Sequence, residues 1–322
     1  MIKFVGWVIL CIMFASCSYT GFVVKEVVIP SEEGGITAFF CPKDECTQVV
    51  IDFIGTGENV HCAFYDLTHE DVIDILKRKG AYVVVDEDEY EGLGVPVNAK
   101  GIMHNKFCVV NDSVVLTGSF NPTSSGGGHR NNIVIIESRF LSQNYLDEFS
   151  ELKNNVPQHQ KKIVPNPVIN LSGRLIENYF CPEDGCEAQV LSELKNAEES
   201  VYFMTYSFTS DPIGNLLVEK DFMDVEVKGI FEKQQISKWS EYHKLKEAGI
   251  DVFIDEQKYL MHNKVFIIDE KVVITGSYNP SKNANENNDE NIVIIHDEEI
   301  AGMFVDEFER QWSETFINKQ SE

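Results

Sequence analysis

The sequence MHNKVFIID at residues 261–269, followed by GSYNP at 276–280, decides the fold because a related pair of stretches occurs earlier in the chain. The earlier pair reads MHNK at 103–106 and GSFNP at 118–122. Three further matches keep the same order: FFCP at 39–42 with YFCP at 179–182, NIVII at 132–136 with NIVII at 291–295, and DEF at 147–149 with DEF at 306–308. Matches in a fixed order over such a distance indicate one domain that has been duplicated.

Apolar runs in the second copy predict the elements of an α/β fold. The segments 201–208, 225–231 and 264–268 have the composition of buried strands, and 300–316 has the spacing of an amphipathic helix. Strands that alternate with helices favour mixed sheets flanked by helices. We therefore expect two tandem α/β repeats that pack as a pseudo-twofold pair.

The two repeats have predicted boundaries and one predicted difference. We place the first repeat, the linker and the second repeat at residues 30–153, 154–172 and 173–318. The second copy has a strand pattern at 224–231 and a polar helical run at 237–248, whereas the first copy has an acidic insert at 89–101. We expect no counterpart of that strand in the first copy, whose sheet would be trimmed at one edge.

The polar residues of the quoted motif converge on one point. His262 and Lys264 are two residues apart at the start of a strand, so both side chains lie on one face. Ser277 follows a glycine that lets the backbone approach a ligand, and Asn279 adds an amide donor. An imidazole, an ammonium and an amide at one point form an anion pocket. The first copy supplies the matching set His104, Lys106, Ser119 and Asn121.

Two such sets in one pocket suit a phosphodiester, whose charge must be held while one side is attacked and the other receives a proton. The pattern resembles that of the phospholipase D superfamily, His-x-Lys-x4-Asp followed by Gly-Ser and Asn, and the second copy completes it with Asp269. The resemblance covers residues 41–316. It implies that one histidine attacks phosphorus to give a phosphohistidine, while the other protonates the leaving oxygen and then activates water. It also implies that no metal or other cofactor is needed, because the lysines and asparagines neutralise the charge.

The first copy departs from the family pattern at two positions. Asn111 stands where the family has an aspartate, and Asn131 stands where the second copy has Glu290, an acid that orients a catalytic histidine. In family members of this kind the acid can come from the opposite copy, which implies that Glu290 holds His104 as the nucleophile and leaves His262 as the acid. Pairing within a copy would reverse the two roles. A degenerate first site would instead leave a non-catalytic phosphate-binding protein.

The net charge of −25 restricts the substrate. Such a charge repels nucleic acids and anionic membranes at long range, so phosphate binding must be local. We expect an exported phosphodiesterase with a phospholipid substrate slightly favoured, and a metal-independent endonuclease of the same superfamily as the alternative. Since both half-sites lie in one chain, we expect a monomer.

Residues 1–18 have the features of an export segment. Lys3 precedes an apolar run, and small residues follow it, which indicates a signal peptide or an N-terminal anchor. Cys17 stands where a lipoprotein cysteine would receive its lipid. We therefore expect an extracytoplasmic protein, either secreted or tethered to a membrane.

The cysteine spacing fits an exported protein that keeps disulfides. The pairs Cys41/Cys46 and Cys181/Cys186 each span a proline-containing turn. This spacing predicts two small disulfide loops, and a zinc site shared by the four thiolates is the alternative.

Four other residues receive structural interpretations. Cys62 and Cys108 lie in strand-like runs, as buried thiols or as a third bridge. Arg130 is predicted to lie in a solvated loop, and Trp239 is predicted to pack in the core from a helix.

Overall fold

A computed structural model describes residues 28–320 of the 322-residue chain. The predicted export segment at 1–18, with Cys17, lies outside the described residues. Among the helices of the described part, none has both the length and the apolar character that crossing a bilayer requires.

The first half of the chain alternates strands with helices. Its elements are β1 (Ser31–Glu32), β2 (Ile36–Phe40), α1 (Cys46–Thr56), β3 (Val60–Phe64), α2 (Glu70–Lys79), β4 (Tyr82–Asp86), β5 (Val95–Val97), β6 (Lys106–Val110), β7 (Val114–Gly118), β8 (Asn132–Glu137) and α3 (Arg139–Lys153). Strands β2 to β8 form a seven-stranded sheet in the order β2-β8-β7-β6-β3-β4-β5. Only β3, β4 and β5 pair in parallel, so the sheet is mixed.

The second half repeats this arrangement. Its elements are β9 (Val168–Leu171), β10 (Arg174–Cys181), α4 (Cys186–Lys195), β11 (Ser200–Thr205), α5 (Asp211–Phe222), β12 (Glu226–Glu232), α6 (Glu241–Glu247), β13 (Asp251–Asp255), β14 (Lys264–Ile268), β15 (Val272–Gly276), α7 (Lys282–Glu286), β16 (Glu290–His296) and α8 (Glu298–Gln320). The sheet order is β1-β9-β10-β16-β15-β14-β11-β12-β13. Strand β9 comes from the predicted linker, which is therefore partly built into the second sheet.

The expectation that the first copy lacks a strand is wrong. Strand β4 pairs in parallel with β3 as β12 pairs with β11, and the edge strand β5 pairs with β4 as β13 pairs with β12. Both repeats therefore have seven equivalent strands. The real differences are a shorter edge strand, three residues against five, and a loop at 87–94 in place of α6. The buried run Val83–Val85 just before the acidic insert already had the composition of this strand.

The two sheets share one core and are tied by reciprocal hydrogen bonds. The Nδ2 of Asn132 donates to Thr275 Oγ1 at 2.7 Å, and the Nδ2 of Asn291 donates to Thr117 Oγ1 at 2.8 Å. Each bond runs from one repeat to the equivalent residue of the other, as a pseudo-twofold axis requires. Aromatic contacts across the same boundary include Phe40 against Phe304 and Tyr145 against Phe180.

The cysteines of the described chain form three disulfides. Cys41–Cys46 and Cys181–Cys186 close the two small loops, and a third bridge, Cys62–Cys108, joins the adjacent strands β3 and β6. The alternative of a shared four-thiolate zinc site is therefore wrong.

The prediction that Trp239 packs in the core is also wrong. Its side chain is 70% exposed just before α6, because the helix begins only at Glu241. Tyr242, one turn later, packs its ring 5.6 Å from that of Phe231.

The disulfides differ in the length of chain that they close, and this difference predicts their contributions to stability. The loops span 46 residues for Cys62–Cys108 and 5 for Cys41–Cys46. From loop entropy, Cys62→Ala/Cys108→Ala lowers the free energy of unfolding by about 4 kcal/mol, and Cys41→Ala/Cys46→Ala lowers it by about 2 kcal/mol. Urea unfolding followed by circular dichroism measures both, and equal losses would contradict the loop-entropy account.

Candidate active site

His104 and His262 line one cavity of about 430 Å³ between the repeats. Each histidine lies two residues before the first residue of a buried strand of its own repeat, His104 before β6 and His262 before β14. Both are nearly buried, with exposed fractions of 6% and 9%. Asn121 and Asn279 line the same cavity, so both copies of the motif meet in one place.

Two buried carboxylates fix the backbone in front of the histidines. The Oδ2 of Asp86, the last residue of β4, accepts the N–H of Met103 at 2.6 Å. The Oε2 of Glu232, the last residue of β12, accepts the N–H of Met261 at 2.8 Å. Neither acid was predicted from the sequence, although each ends an apolar strand at an equivalent position.

Glu290 of the second repeat holds His104 of the first. The Nδ1 of His104 donates to Glu290 Oε2 at 2.7 Å, which is the cross-repeat arrangement that the family resemblance implied. Glu290 is fully buried and also accepts from Ser277 Oγ at 2.6 Å and from Asn288 Nδ2 at 3.1 Å. Burial lowers the pKa of His104 to about 4, against the opposing effect of the carboxylate. The ring is therefore neutral at neutral pH, with its lone pair on Nε2.

His262 has uncharged partners instead. Its Nδ1 lies 3.0 Å from the carbonyl oxygen of Ser119 and 3.0 Å from Asn131 Oδ1. Because both partners are acceptors, Nδ1 carries the hydrogen. Burial and the neighbouring ammonium groups of Lys264 and Lys106 hold the pKa of His262 well below its usual value.

The two lysines carry charge that the protein interior disfavours. Lys106 Nζ donates to the carbonyl oxygen of His104 at 2.6 Å, and Lys264 Nζ donates to that of His262 at 2.8 Å. Burial lowers the pKa of Lys106 to about 7, and burial together with the nearby Lys106 holds the pKa of Lys264 well below its usual value. An anion in the cavity would favour the charged form of both lysines, so the site favours a phosphate group.

The structure places Ser119 and Ser277 differently from the prediction. Both side chains are completely buried, with 0% accessible surface, and neither lines the cavity. Ser277 donates to Glu290, and Ser119 donates to Asn131 Oδ1 at 3.1 Å. They therefore position the partners of the histidines, rather than contacting phosphate as predicted.

The glycine before each serine allows two strands to approach closely, and it does not contact the cavity. Gly276 has φ 147°, and a Cβ at this residue would lie 2.2 Å from the carbonyl oxygen of Asn291 in the neighbouring strand. Gly118 meets Asn132 in the same way. The close approach is therefore between two backbones, a role for which glycine is suited.

Asp269 lies at the far end of β14 from His262. Its carboxylate accepts the backbone N–H groups of Glu198, Glu199 and Ser200 at 2.7 to 3.2 Å and so closes a turn. In the first repeat Asn111 Oδ1 accepts the N–H of Glu58 at 2.9 Å. Asparagine thus bridges an equivalent loop, away from the cavity.

A pair of tyrosines that was not predicted from the sequence flanks the histidines. Tyr65 follows β3 and Tyr206 follows β11, and both line the cavity. Their rings meet His104 and His262 edge to face at 5.2 and 4.7 Å. The signal was available, because each tyrosine comes directly after a strand at an equivalent position.

Arg130 was predicted to be solvated, and this is wrong. It is 7% exposed, with Nη1 3.1 Å from Asp255 Oδ2 and Nη2 2.6 Å from Glu314 Oε2. Both acids belong to the second repeat, so it is the second repeat that covers the Arg130 side chain.

The family described as "Cardiolipin synthase, PLD-like domain" matches residues 49–153 and 190–312 of the chain. The phospholipase D of Rickettsia typhi is 36% identical over 136 residues, which are 42% of this chain and 67% of that protein. The phospholipase D of Rickettsia felis is 33% identical over 162 residues, which are 49% of this chain and 81% of that protein. The mitochondrial cardiolipin hydrolase of Mus musculus is 34% identical over 135 residues, which are 42% of this chain and 61% of that protein.

A solved structure resembles the chain over most of its length. The phosphatidylserine synthase of Haemophilus influenzae aligns with a TM-score of 0.66 at 12% identity, over 87% of this chain and 86% of that one. At this identity the likeness concerns the fold alone, with both repeats included.

The uncharged partner of His262 predicts the effect of one substitution. Asn131→Asp places a carboxylate beside Nδ1, which raises the pKa of His262 by about one to three pH units. A titration of the histidine resonances by NMR checks this, with His262→Ala to assign the signal. No change in the His262 pKa would contradict the contact with Asn131.

Proposed function

The chain belongs to the phospholipase D superfamily and is a phosphodiester hydrolase, and we propose that it cleaves a phospholipid through a phosphohistidine on His104. The observation that carries the proposal is the unequal pair of partners in one cavity. His104 faces the carboxylate of Glu290, whereas His262 faces the amide oxygen of Asn131. The surroundings of His104 therefore suit a gain of positive charge, and those of His262 suit its loss.

In the first step the Nε2 lone pair of His104 attacks phosphorus and the P–O bond to the leaving alcohol breaks. The ring keeps its hydrogen on Nδ1, so a positive charge develops on it as the N–P bond forms. Glu290, 2.7 Å away, compensates that charge. A carboxylate in this position also fixes the tautomer that presents Nε2.

His262 gives the leaving oxygen its proton. The ring holds that proton when the anionic substrate is bound, since a nearby negative charge raises a histidine pKa. The partners of His262 are uncharged and do not stabilise the positive charge of the protonated ring. The protonated ring is therefore a stronger acid. In the second step neutral His262 removes a proton from water, which attacks phosphorus and releases His104.

The charge of the phosphoryl group is held by the side chains of the site. Lys106 and Lys264 lie beside the two histidines, and Asn121 and Asn279 line the cavity. Two ammonium groups supply the positive charge that a divalent cation would otherwise bring. The reaction therefore proceeds without a metal cofactor.

A phospholipid substrate is supported by two exposed aromatic side chains, one of which, Tyr259, has its ring 6.4 Å from that of the cavity residue His129. Trp239 and Tyr259 are 70% and 50% exposed on the loops after β12 and β13, at the edge that carries the cavity. Lys238 and Lys258 stack over these rings at 4.7 and 5.2 Å. Aromatic rings and lysines of this kind suit the interface of a membrane. The overall charge of −25 acts against long nucleic acids.

Export is supported by the three disulfides, since such bonds persist in oxidising compartments. We therefore propose an extracytoplasmic location. We also propose that the protein acts as a monomer, because one chain supplies both half-sites.

Loss of either histidine abolishes hydrolysis if the proposal is correct. With phospholipid vesicles and excess EDTA, the wild type releases headgroup, and His104→Ala and His262→Ala lose at least about 10³-fold in rate. His243→Ala, which changes an exposed histidine of α6, keeps the wild-type rate. Cleavage of DNA or RNA with no lipid hydrolysis would replace the phospholipid by the nuclease alternative, and dependence on a metal would contradict the mechanism.

Trapping identifies the nucleophile. Rapid acid-free denaturation during turnover, followed by mass spectrometry, finds the phosphoryl adduct on the peptide that contains His104. The adduct accumulates in His262→Ala with an aryl phosphodiester, because the phenolate leaves without a proton while water attack is slowed. An adduct on His262 in the wild type would reverse the two roles.

A further inference from the structure

Two buried ion pairs lie at equivalent positions behind the two histidines. Arg130 directly precedes Asn131, and Asp289 directly precedes Glu290, so one position carries opposite charges in the two repeats. Arg130 pairs with acids of the second repeat, as described above. Asp289 Oδ1 lies 3.0 Å from Lys161 Nζ.

The backbone of each paired residue holds a catalytic histidine. The carbonyl oxygen of Arg130 accepts the N–H of His262 at 2.7 Å, and that of Asp289 accepts the N–H of His104 at 2.8 Å. Single β-bridges join Met103 to Asp289 and Arg130 to Met261 at the same places. Each ion pair therefore fixes a peptide group on which the position of one imidazole depends.

Lys161 comes from the segment between the repeats, residues 154–172, which the sequence indicates as a linker. Its side chain is 1% exposed and also binds Glu148 of α3 at 2.7 Å. Nearby, Gln158 Nε2 donates to the carbonyl oxygen of Asn287 at 2.5 Å. The linker thus reaches the loop in front of Glu290, and loss of Lys161 would leave two buried carboxylates uncompensated.

We propose that Lys161 and Arg130 are positioning residues, Lys161 for His104 and Arg130 for His262. The inference rests on the proposed function and adds that the linker takes part in catalysis. In the second repeat this position is the acid Asp289, and the linker residue Lys161 supplies the cation that pairs with it. In the first repeat the same position is itself a cation, Arg130.

A burst experiment separates the two histidines. With bis(p-nitrophenyl) phosphate, the first phenolate leaves without a proton, so the burst measures attack by His104 and the linear phase measures water attack assisted by His262. Lys161→Met slows the burst by about 10- to 100-fold and affects the linear phase less. Arg130→Met slows the linear phase by a similar factor, about 10- to 100-fold, and affects the burst less.

Matched variants separate positioning from folding. Lys162→Met changes the neighbouring exposed lysine and keeps both phases. Lys161→Arg and Arg130→Lys keep the charge and recover most of the phase lost in the methionine variants. Rates are expressed per folded molecule, with the fraction folded taken from thermal unfolding of each variant.

The outcomes distinguish this proposal from the proposed function. The positioning roles alone are overturned if the wild type shows a burst but the methionine variants slow both phases equally. The same conclusion follows if these variants lower only the unfolding temperature. A wild type without a burst, with His104→Ala as active as the wild type, overturns the covalent mechanism and the positioning roles with it.

Discussion

The hydrogen bond between His104 Nδ1 and Glu290 Oε2 is the interaction on which the rest of the site depends. It joins a histidine of the first repeat to an acid of the second, at 2.7 Å and away from water. A buried carboxylate needs such a partner. Because each histidine takes its partner from the opposite repeat, neither half-site is complete alone. The shared core and the reciprocal Asn–Thr hydrogen bonds hold the repeats in the register that this bond requires.

The departure of the first repeat from the family pattern makes the partners of the two histidines unequal. If Asn131 were acidic, both histidines would have a carboxylate and would be electrostatically similar. With an amide at this position only His104 has a charged partner. In the proposed mechanism a positive charge appears on His104 and leaves His262 in the same step. The unequal partners match that transfer, so the asparagine need not indicate a degenerate site.

The sequence was most informative where local spacing determines geometry. The strand Lys264–Ile268 and the shared cavity of the two motifs follow from the period of a strand and from the duplication. Outside the family motif, residues whose contacts come from distant parts of the chain could not be placed from local spacing. Arg130 is covered by Asp255 and Glu314, and Lys161 is buried against Asp289, none of which is near in sequence. Strand β4 was missed because the insert that follows it obscured the alignment of the copies.

A crystal structure with orthovanadate bound tests the account most directly, because vanadate adopts the trigonal bipyramidal geometry of phosphoryl transfer. The account predicts vanadium bonded to Nε2 of His104, with the opposite apical oxygen hydrogen-bonded to Nε2 of His262 and equatorial oxygens contacting Lys106 and Lys264. Vanadium bonded to His262, or an anion that contacts only one of the two imidazoles, would contradict it.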